Sequence, residues 1–288
     1  MPIKRLIKKL LKGLFLVFVT ITLAVVMKVF LFASFKVPTD SMKPTLIPGD
    51  FVLVNKLLIG PRIYQNLDFL KGKKTPYRRI NGIQRIRRND ILVFDAPYIT
   101  AGTLKQQVDV FYVKRCIAIP GDTFRIENGI YKVQGRPDTL GNYPNQLILS
   151  QMPDEEFEGH IYNCFPADTT FQWNIKYFGP LYIPGKGDTL ELNPQNIVLY
   201  QSLIQYETQK KITIIDGQLF LDRTPLSPYT FTQNYYFMVG DNVIESHDSR
   251  YWGLLPEEFI VGKVAIIWKS EDPQTGKFRW NRFLKPIK

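Results

Sequence analysis

The sequence predicts a mainly β protein behind a single N-terminal membrane-spanning helix. Three observations predict it. From Gly13 to Phe35, 23 residues carry one charge, Lys28, and a spanning helix needs about 20 apolar residues. Beyond residue 36 the apolar residues fall in short β-branched and aromatic runs parted by Gly, Pro, Asn and Asp. With little helical periodicity, that pattern reads as an all-β body. Asn128-Gly129 and Asp216-Gly217 each stand between two such runs, which is the strongest short-range signal for a hairpin.

The anchor comes first in the chain. Residues 1–12 carry Lys4, Arg5, Lys8, Lys9 and Lys12 and no acid. Positive charge before a span predicts a cytoplasmic N-terminus and a body on the outer face. Lys28 lies toward the distal end, where its stem can snorkel to the interface. A cleaved leader is disfavoured: the apolar stretch is long, and no small-x-small pair closes it, since Ala33 has Leu31 two before it and Ser34 has Phe32.

The whole chain has 37 basic and 26 acidic residues, net +11. Six of the basic residues lie before residue 36, leaving 31 against 26 in the body, only +5. That is ordinary surface charge, not a nucleic-acid footprint. Two cysteines and two histidines are too few for a disulfide framework or a protein-built zinc or iron site. Cys116 reads as a small buried hydrophobe, and a single Cys116–Cys164 bridge is left open. No cofactor is expected.

Val37-Pro-Thr-Asp-Ser-Met-Lys-Pro-Thr-Leu-Ile-Pro-Gly-Asp50 follows the anchor. Pro38, Pro44 and Pro48 each fix φ and restrict the preceding residue, so this stretch reads as an ordered, largely extended loop that presents Ser41. Strands are predicted at 50–55, 90–94, 108–119, 235–239 and 260–268, and hairpins at 124–133 and 211–221. Residues 60–88 carry Lys71-Gly-Lys-Lys74, Arg78-Arg79, Arg85 and Arg87-Arg88 and read as a long solvated basic loop. Its position beside an anchor would suit anionic headgroups. Residues 134–195 are richer in Asn, Gln, Pro and Gly and read as an insertion, a smaller second β region. Residues 197–206 fit a short helix or a strand equally. The expected division is a basic N-terminus (1–12), an anchor (13–35), a catalytic β domain (36–133 and 196–288) and the insertion (134–195).

Ser41 needs a base to act as a nucleophile. No Gly-x-Ser-x-Gly elbow exists. His247 is one candidate, but Asp248 beside it on an extended chain points the other way and cannot orient it. Lys114, inside the apolar run Val-Phe-Tyr-Val-Lys-Arg-Cys-Ile-Ala-Ile, is the other. At an ordinary pKa fewer than about one lysine in a thousand is neutral near pH 7, and burial would lower that pKa. Lys114 could equally point outward on a half-exposed strand. The loop Gly240-Asp-Asn-Val-Ile-Glu-Ser-His-Asp-Ser-Arg-Tyr-Trp-Gly253 is the third element, with hydroxyls at Ser246 and Ser249 and a possible Asp248–Arg250 pair.

Five motifs together resemble the bacterial type I signal peptidases, membrane-anchored Ser-Lys proteases. They are Ser41-Met-Lys-Pro-Thr-Leu, Asp50-Phe-Val-Leu-Val-Asn-Lys, Asn89-Asp-Ile-Leu-Val-Phe, Lys114-Arg with Pro120-Gly-Asp, and Gly240-Asp-Asn with Ser246-His-Asp-Ser-Arg-Tyr-Trp-Gly. The resemblance covers the anchor and most of 36–133 and 235–268. It implies a signal-peptidase-like β fold that removes signal peptides from preproteins at the outer face of the bacterial plasma membrane. By position it makes Ser41 the nucleophile and Lys114 the general base, with Ser246 orienting the amine. The Ser41 N–H and the Thr39 hydroxyl would form the oxyanion hole, and Asp248 and Arg250 would brace the loop. Phe35, Val37, Met42 and Val113 would line pockets for an Ala-x-Ala pattern, the substrate strand pairing along a sheet edge. Preprotein signal peptides and the lipid bilayer are the implied partners, with no nucleic acid. Two positions depart from the family pattern. Val243-Ile-Glu245 stand where polar residues are usual, and Asn89 stands where Gly is usual, in a conformation that Asn tolerates. The competing reading, a catalytically degenerate anchored β protein that binds signal peptides or serves as a scaffold, rests on Val243-Ile-Glu245.

Overall fold

The computed structural model describes residues 2–66, 75–100, 102–157, 159–166, 168 and 170–287. Lys71-Gly-Lys-Lys74 of the predicted basic loop lies outside the described residues, as does the side chain of Lys28.

Helix α1 (Pro2–Val26) contains a stretch, Ile3–Val26, long and apolar enough to cross a membrane. It is helical from Pro2, so the basic segment and the anchor form one element: Lys, Leu and Ile are sound helix formers, and Pro is accommodated in a first turn. A π-helical turn, Met27–Leu31, ends it. The anchor was predicted to run to Phe35, but Phe32–Lys36 is strand β1, paired antiparallel with β2 (Asp50–Asn55) from Phe32↔Asn55 to Lys36↔Phe51. Apolar composition is the same in a span and in a buried strand, and cross-strand pairing decides it here.

Strand β3 (Arg62–Tyr64) pairs with β4 (Tyr77–Arg79), a hairpin inside the predicted basic loop. Its arginines are not simply solvated. Arg62 is ion-paired to Asp95 at 2.7 Å with both side chains buried, and Arg79 donates to the Gly60 and Ile260 carbonyls. Strands β5 (Ile91–Thr100) and β6 (Thr103–Ala118) form the longest hairpin, with Leu92 opposite Lys114 and Asp95 opposite Phe111. Strand β7 (Thr123–Glu127) pairs with β8 (Ile130–Val133). Asn128 and Gly129 both have positive φ between them, as a tight hairpin turn demands.

The 134–195 stretch is more helical than predicted. Asn142 Oδ1 accepts from the Asn145 N–H, Pro144 follows in the first turn, and helix α2 (Tyr143–Gln151) begins there. A short α3 (Gly159–Tyr162) comes next, and β9 (Phe178–Tyr182) pairs with β7. Leu140, Leu149, Ile175, Phe178 and Leu181 join the same apolar core as β5, β6 and β7. The residues 197–206 resolve as helix α4 (Ile197–Thr208).

Strand β10 (Tyr235–Val239), buried throughout, pairs with β6 and leaves it after Val239↔Arg115. Strand β11 (Ile260–Ser270) sits between β2 and β5. The main sheet therefore runs β1-β2-β11-β5-β6-β10, with the short strand Leu255–Pro256 paired beyond β10 and Lys285–Pro286 paired with β11. Two edges of this sheet face the Ser41 loop: the outer edge of β1, and the stretch of β6 from Val110 to Lys114 that lies beyond its pairing with β10. A second, smaller core of Val37, Met42, Leu46, Val52, Val54, Ile91 and Val93 fills the space under the Ser41 loop.

Candidate active site

The Ser41 loop is more compact than the extended course its prolines predict. Lys43 N–H donates to the Asp40 carbonyl and Leu46 N–H to the Met42 carbonyl, closing successive turns. Met42 is 1 % exposed and Leu46 fully buried, and burying such side chains is worth about 1.5–3 kcal/mol each. They pull the loop onto the sheet against the prolines' extended preference. Asp50 fastens its far end: it accepts from the Ile47 N–H at 2.9 Å and holds Arg282, which also donates to the Thr45 carbonyl at 2.9 Å. Asp241 fastens its middle. It accepts from Thr45 Oγ1 at 2.5 Å and takes both Arg115 Nε and Nη2, at 2.7 and 2.6 Å. Sequence reading missed this Thr45–Asp241–Arg115 cluster, although Arg115 follows Lys114 and Asp241 follows Gly240.

Lys114 Nζ lies 2.5 Å from Ser41 Oγ. Strand alternation sends Lys114 to this face and its neighbour Arg115 to Asp241. Lys114 is 5 % exposed. Burial pushes its amine down to about 8 from 10.5, opposed by Asp248 and Asp241 and aided by Arg250. Near pH 7 about one amine in ten is then neutral and able to take a proton. Thr39 Oγ1 is 3.4 Å from Ser41 Oγ, on the exposed side.

Gly240 brings the second loop to this pair. A Cβ there would meet Ser246 Oγ at 2.2 Å and the Ser41 carbonyl oxygen at 2.4 Å, so only glycine lets the two approach this closely. Asn242 N–H donates to the Ser41 carbonyl at 3.1 Å. Ser246 is 4 % exposed, and its Oγ has no hydrogen-bond partner. The loop is held from behind by Asp248, fully buried, which accepts from Arg250 Nε and Nη2 at 2.8 Å each and from the Gly240 N–H at 3.0 Å. Burial alone would raise the Asp248 carboxyl, but the Arg250 guanidinium and the Gly240 N–H hold it below its ordinary value. Val243, where a polar residue was the usual expectation, is 1 % exposed and part of the main core. Apolar packing fixes the loop at that point.

His247 lines the cleft beside Ser41 but is not hydrogen-bonded to it. Its ring stacks on Tyr251, centroids 5.5 Å apart and 10° from parallel. Asp248 spends its oxygens on Arg250 and Gly240, so it does not orient His247. Asn89 takes φ 70°, accepts from the Gly141 N–H and donates to the Thr139 carbonyl. It thus ties the β5 entry to the inserted segment. Cys116 and Cys164 are both buried and unbridged. Among the described residues no group of three His, Cys, Asp or Glu side chains is placed to hold a metal.

A cleft of about 560 Å³ opens beside Ser41. Its lining includes Phe35, Val37, Met42, Phe111, Val113, Thr39, Lys114, Glu245 and His247. The rings of Phe35 on β1 and Phe111 on β6 stand 4.9 Å apart, so both open strand edges reach one apolar depression. Chemically, the arrangement offers a hydroxyl beside an amine that is partly neutral at physiological pH. Next to them lie the Thr39 hydroxyl, 3.4 Å from Ser41 Oγ, and an apolar trough.

A family profile described as signal peptidase, peptidase S26, matches residues 8–269. Curated relatives carry the name signal peptidase I. The chain is 29 % identical to that of Buchnera aphidicola subsp. Baizongia pistaciae over 254 residues, covering 84 % of this chain and 71 % of the relative. It is 28 % identical to that of Pseudomonas aeruginosa over 268 residues, 89 % and 72 % of the two chains. It is 27 % identical to that of Haemophilus influenzae over 290 residues, 90 % and 70 %.

Proposed function

This chain belongs to the signal peptidase S26 family, and from that premise we propose that it removes signal peptides from preproteins with Ser41 as nucleophile and Lys114 as general base. The observation that carries the reading is the 2.5 Å separation of Lys114 Nζ and Ser41 Oγ, with the amine buried and its pKa lowered to about 8. Neutral Lys114 takes the Ser41 proton as Oγ attacks the scissile carbonyl carbon. The oxyanion that forms is held by the Ser41 N–H and Thr39 Oγ1, donors of a kind worth roughly 3–4 kcal/mol each at the transition state. The Lys114 ammonium then protonates the departing amine, leaving an ester on Ser41. Lys114, neutral again, deprotonates a water that attacks the ester, and the ammonium so formed returns the proton to Ser41 Oγ as the ester bond breaks. Ser246 Oγ, buried and unpartnered, is available to accept from the ammonium and keep it aimed. Asp248 and Arg250 hold that loop.

The signal peptide would lie extended between the open edges of β1 and β6, donating and accepting main-chain hydrogen bonds as an added strand does. Phe35, Val37, Met42 and Val113 would receive the small residues of an Ala-x-Ala pattern. Helix α1 would cross the bilayer with its basic end in the cytoplasm. The body then works at the outer face of the bacterial plasma membrane, and Ser41, five residues beyond β1, is held close to the bilayer surface where a cleavage site emerges. The test is to incubate the purified full chain with a labelled preprotein beside Ser41→Ala. The reading requires one cut at the signal-peptide junction by the parent protein and none by the variant. Cleavage surviving in Ser41→Ala would refute it.

A further inference from the structure

The cleft beside Ser41 has two unlike walls. One is apolar, made by Phe35 and Val37 at the β1 end and by Phe111 and Val113 on β6. The other comes from the loop after β10 and presents Glu245 and His247. Glu245 is exposed to solvent. Its carboxylate accepts from Asn242 Nδ2 at 3.0 Å, and the same Asn242 donates from its backbone to the Ser41 carbonyl at 3.1 Å and from Nδ2 to the Asp40 carbonyl at 3.4 Å. A neutral amide thus fixes this acid beside the nucleophile. The remaining charges of the cleft are otherwise engaged. Asp40 pairs with Lys43 at 3.0 Å, Lys36 lies over the Phe51 ring at 5.8 Å, and Lys114 is buried against Ser41. Among the described residues Glu245 has no cationic partner, so its charge is uncompensated at the mouth of the cleft.

We propose that Glu245 is a specificity-determining residue that favours a cationic side chain over an anionic one in the first residues after the scissile bond. The inference rests on reading the chain as a Ser41–Lys114 peptidase. The apolar wall suits the small residues before the cut. The chain leaving Ser41 on the mature side is left with the loop wall, where Glu245 attracts a lysine and repels a glutamate. An exposed ion pair supports a discrimination of about three- to tenfold in kcat/KM once attraction and repulsion are combined. Salt should shrink it, because screening at 0.1 M and above acts within about 10 Å.

The experiment uses the purified full chain in detergent and two peptides spanning a cleavage site, identical except for Lys or Glu at the second residue after the cut. The parent protein should cleave the Lys peptide about three- to tenfold faster, and less so as salt rises. E245Q should bring the ratio to about one, and E245K should invert it, with melting curves checking that both variants are folded. Equal rates for the two peptides with the parent protein, or an unchanged ratio in E245Q, would overturn the proposal. So would a Lys preference that appears only when the substitution is moved to the third residue before the cut. Failure of the parent protein to cleave either peptide would instead remove the peptidase reading on which this inference stands. The parent protein's own peptide ratio and its salt dependence keep the idea exposed even if a variant does not fold.

Discussion

Replacing Lys114 by Met should do two opposite things at once: abolish cleavage and stabilise the fold at neutral pH. Met matches the length and bulk of the lysine stem and removes the amine. The stability effect follows from the lowered pKa. An unfolded lysine titrates near 10.5 and the folded one at about 8. Between those values the unfolded chain binds more protons than the folded one, so the parent protein gains stability as pH rises through that window. Below about pH 8 the penalty of holding a buried ammonium is fully present. At 1.36 kcal/mol per unit the difference amounts to about 3 kcal/mol. The variant leaves Ser41 Oγ without its 2.5 Å partner, a loss of about 1 kcal/mol. The net expectation is a gain of about 2 kcal/mol at pH 7 that falls to zero near about pH 10 and becomes a loss of about 1 kcal/mol by about pH 11. Denaturation in detergent at a series of pH values, beside a preprotein cleavage assay, reads both effects. A Lys114→Met protein that is less stable than the parent at pH 7, or that still cleaves, would refute the reasoning.

Two further predictions concern the scaffold of the site. Asp248→Asn removes the partner of Arg250, both side chains being wholly buried, and leaves an unpaired buried cation. Stability should fall by about 3–5 kcal/mol, measured by chemical denaturation, and a loss under 1 kcal/mol would contradict the brace assigned to the pair. Gly240→Ala places a methyl within 2.4 Å of both the Ser41 carbonyl and Ser246 Oγ. It should cost about 1–3 kcal/mol as overpacking and lower kcat at least tenfold, and unchanged kcat would show that the close approach of the two loops does not serve the chemistry.

The features legible in the sequence are those that local chemistry decides. Asn128-Gly129 and Asp216-Gly217 give turns with positive φ at both residues, and β-branched runs give strands, because turn geometry and pleat alternation act over two to six residues. Ser41, Lys114 and the 240–253 loop could be singled out as residue types in telling surroundings. Their meeting could not be, since it depends on long-range contacts: the pairing of β5 with β6 that sets the place of Lys114, and the close approach of the two loops that Gly240 allows. The end of the anchor was misjudged because Phe32–Phe35 is as apolar as a span, and only pairing with β2 reveals a strand. Helix α2 was hidden by its polar composition. Its Gln146, fully buried, accepts from the Tyr131 N–H and donates to the Leu140 carbonyl, a core role that no hydrophobic pattern announces. The basic stretch likewise concealed Arg62 and Arg79, whose guanidinium groups are held by Asp95 and by backbone carbonyls around 258–260.

The central claim is that a buried, partly neutral Lys114 activates Ser41, and the pH dependence of kcat/KM for preprotein cleavage tests it most directly. The base must be neutral, so the rate should climb about tenfold per pH unit below the lysine's pKa and level off above about pH 8. His247→Ala should leave that limb in place, because the histidine ring stacks on Tyr251 and Lys114 is the group bonded to Ser41 Oγ. A limb well below pH 8 that vanishes in His247→Ala would assign the base to the histidine and contradict the account.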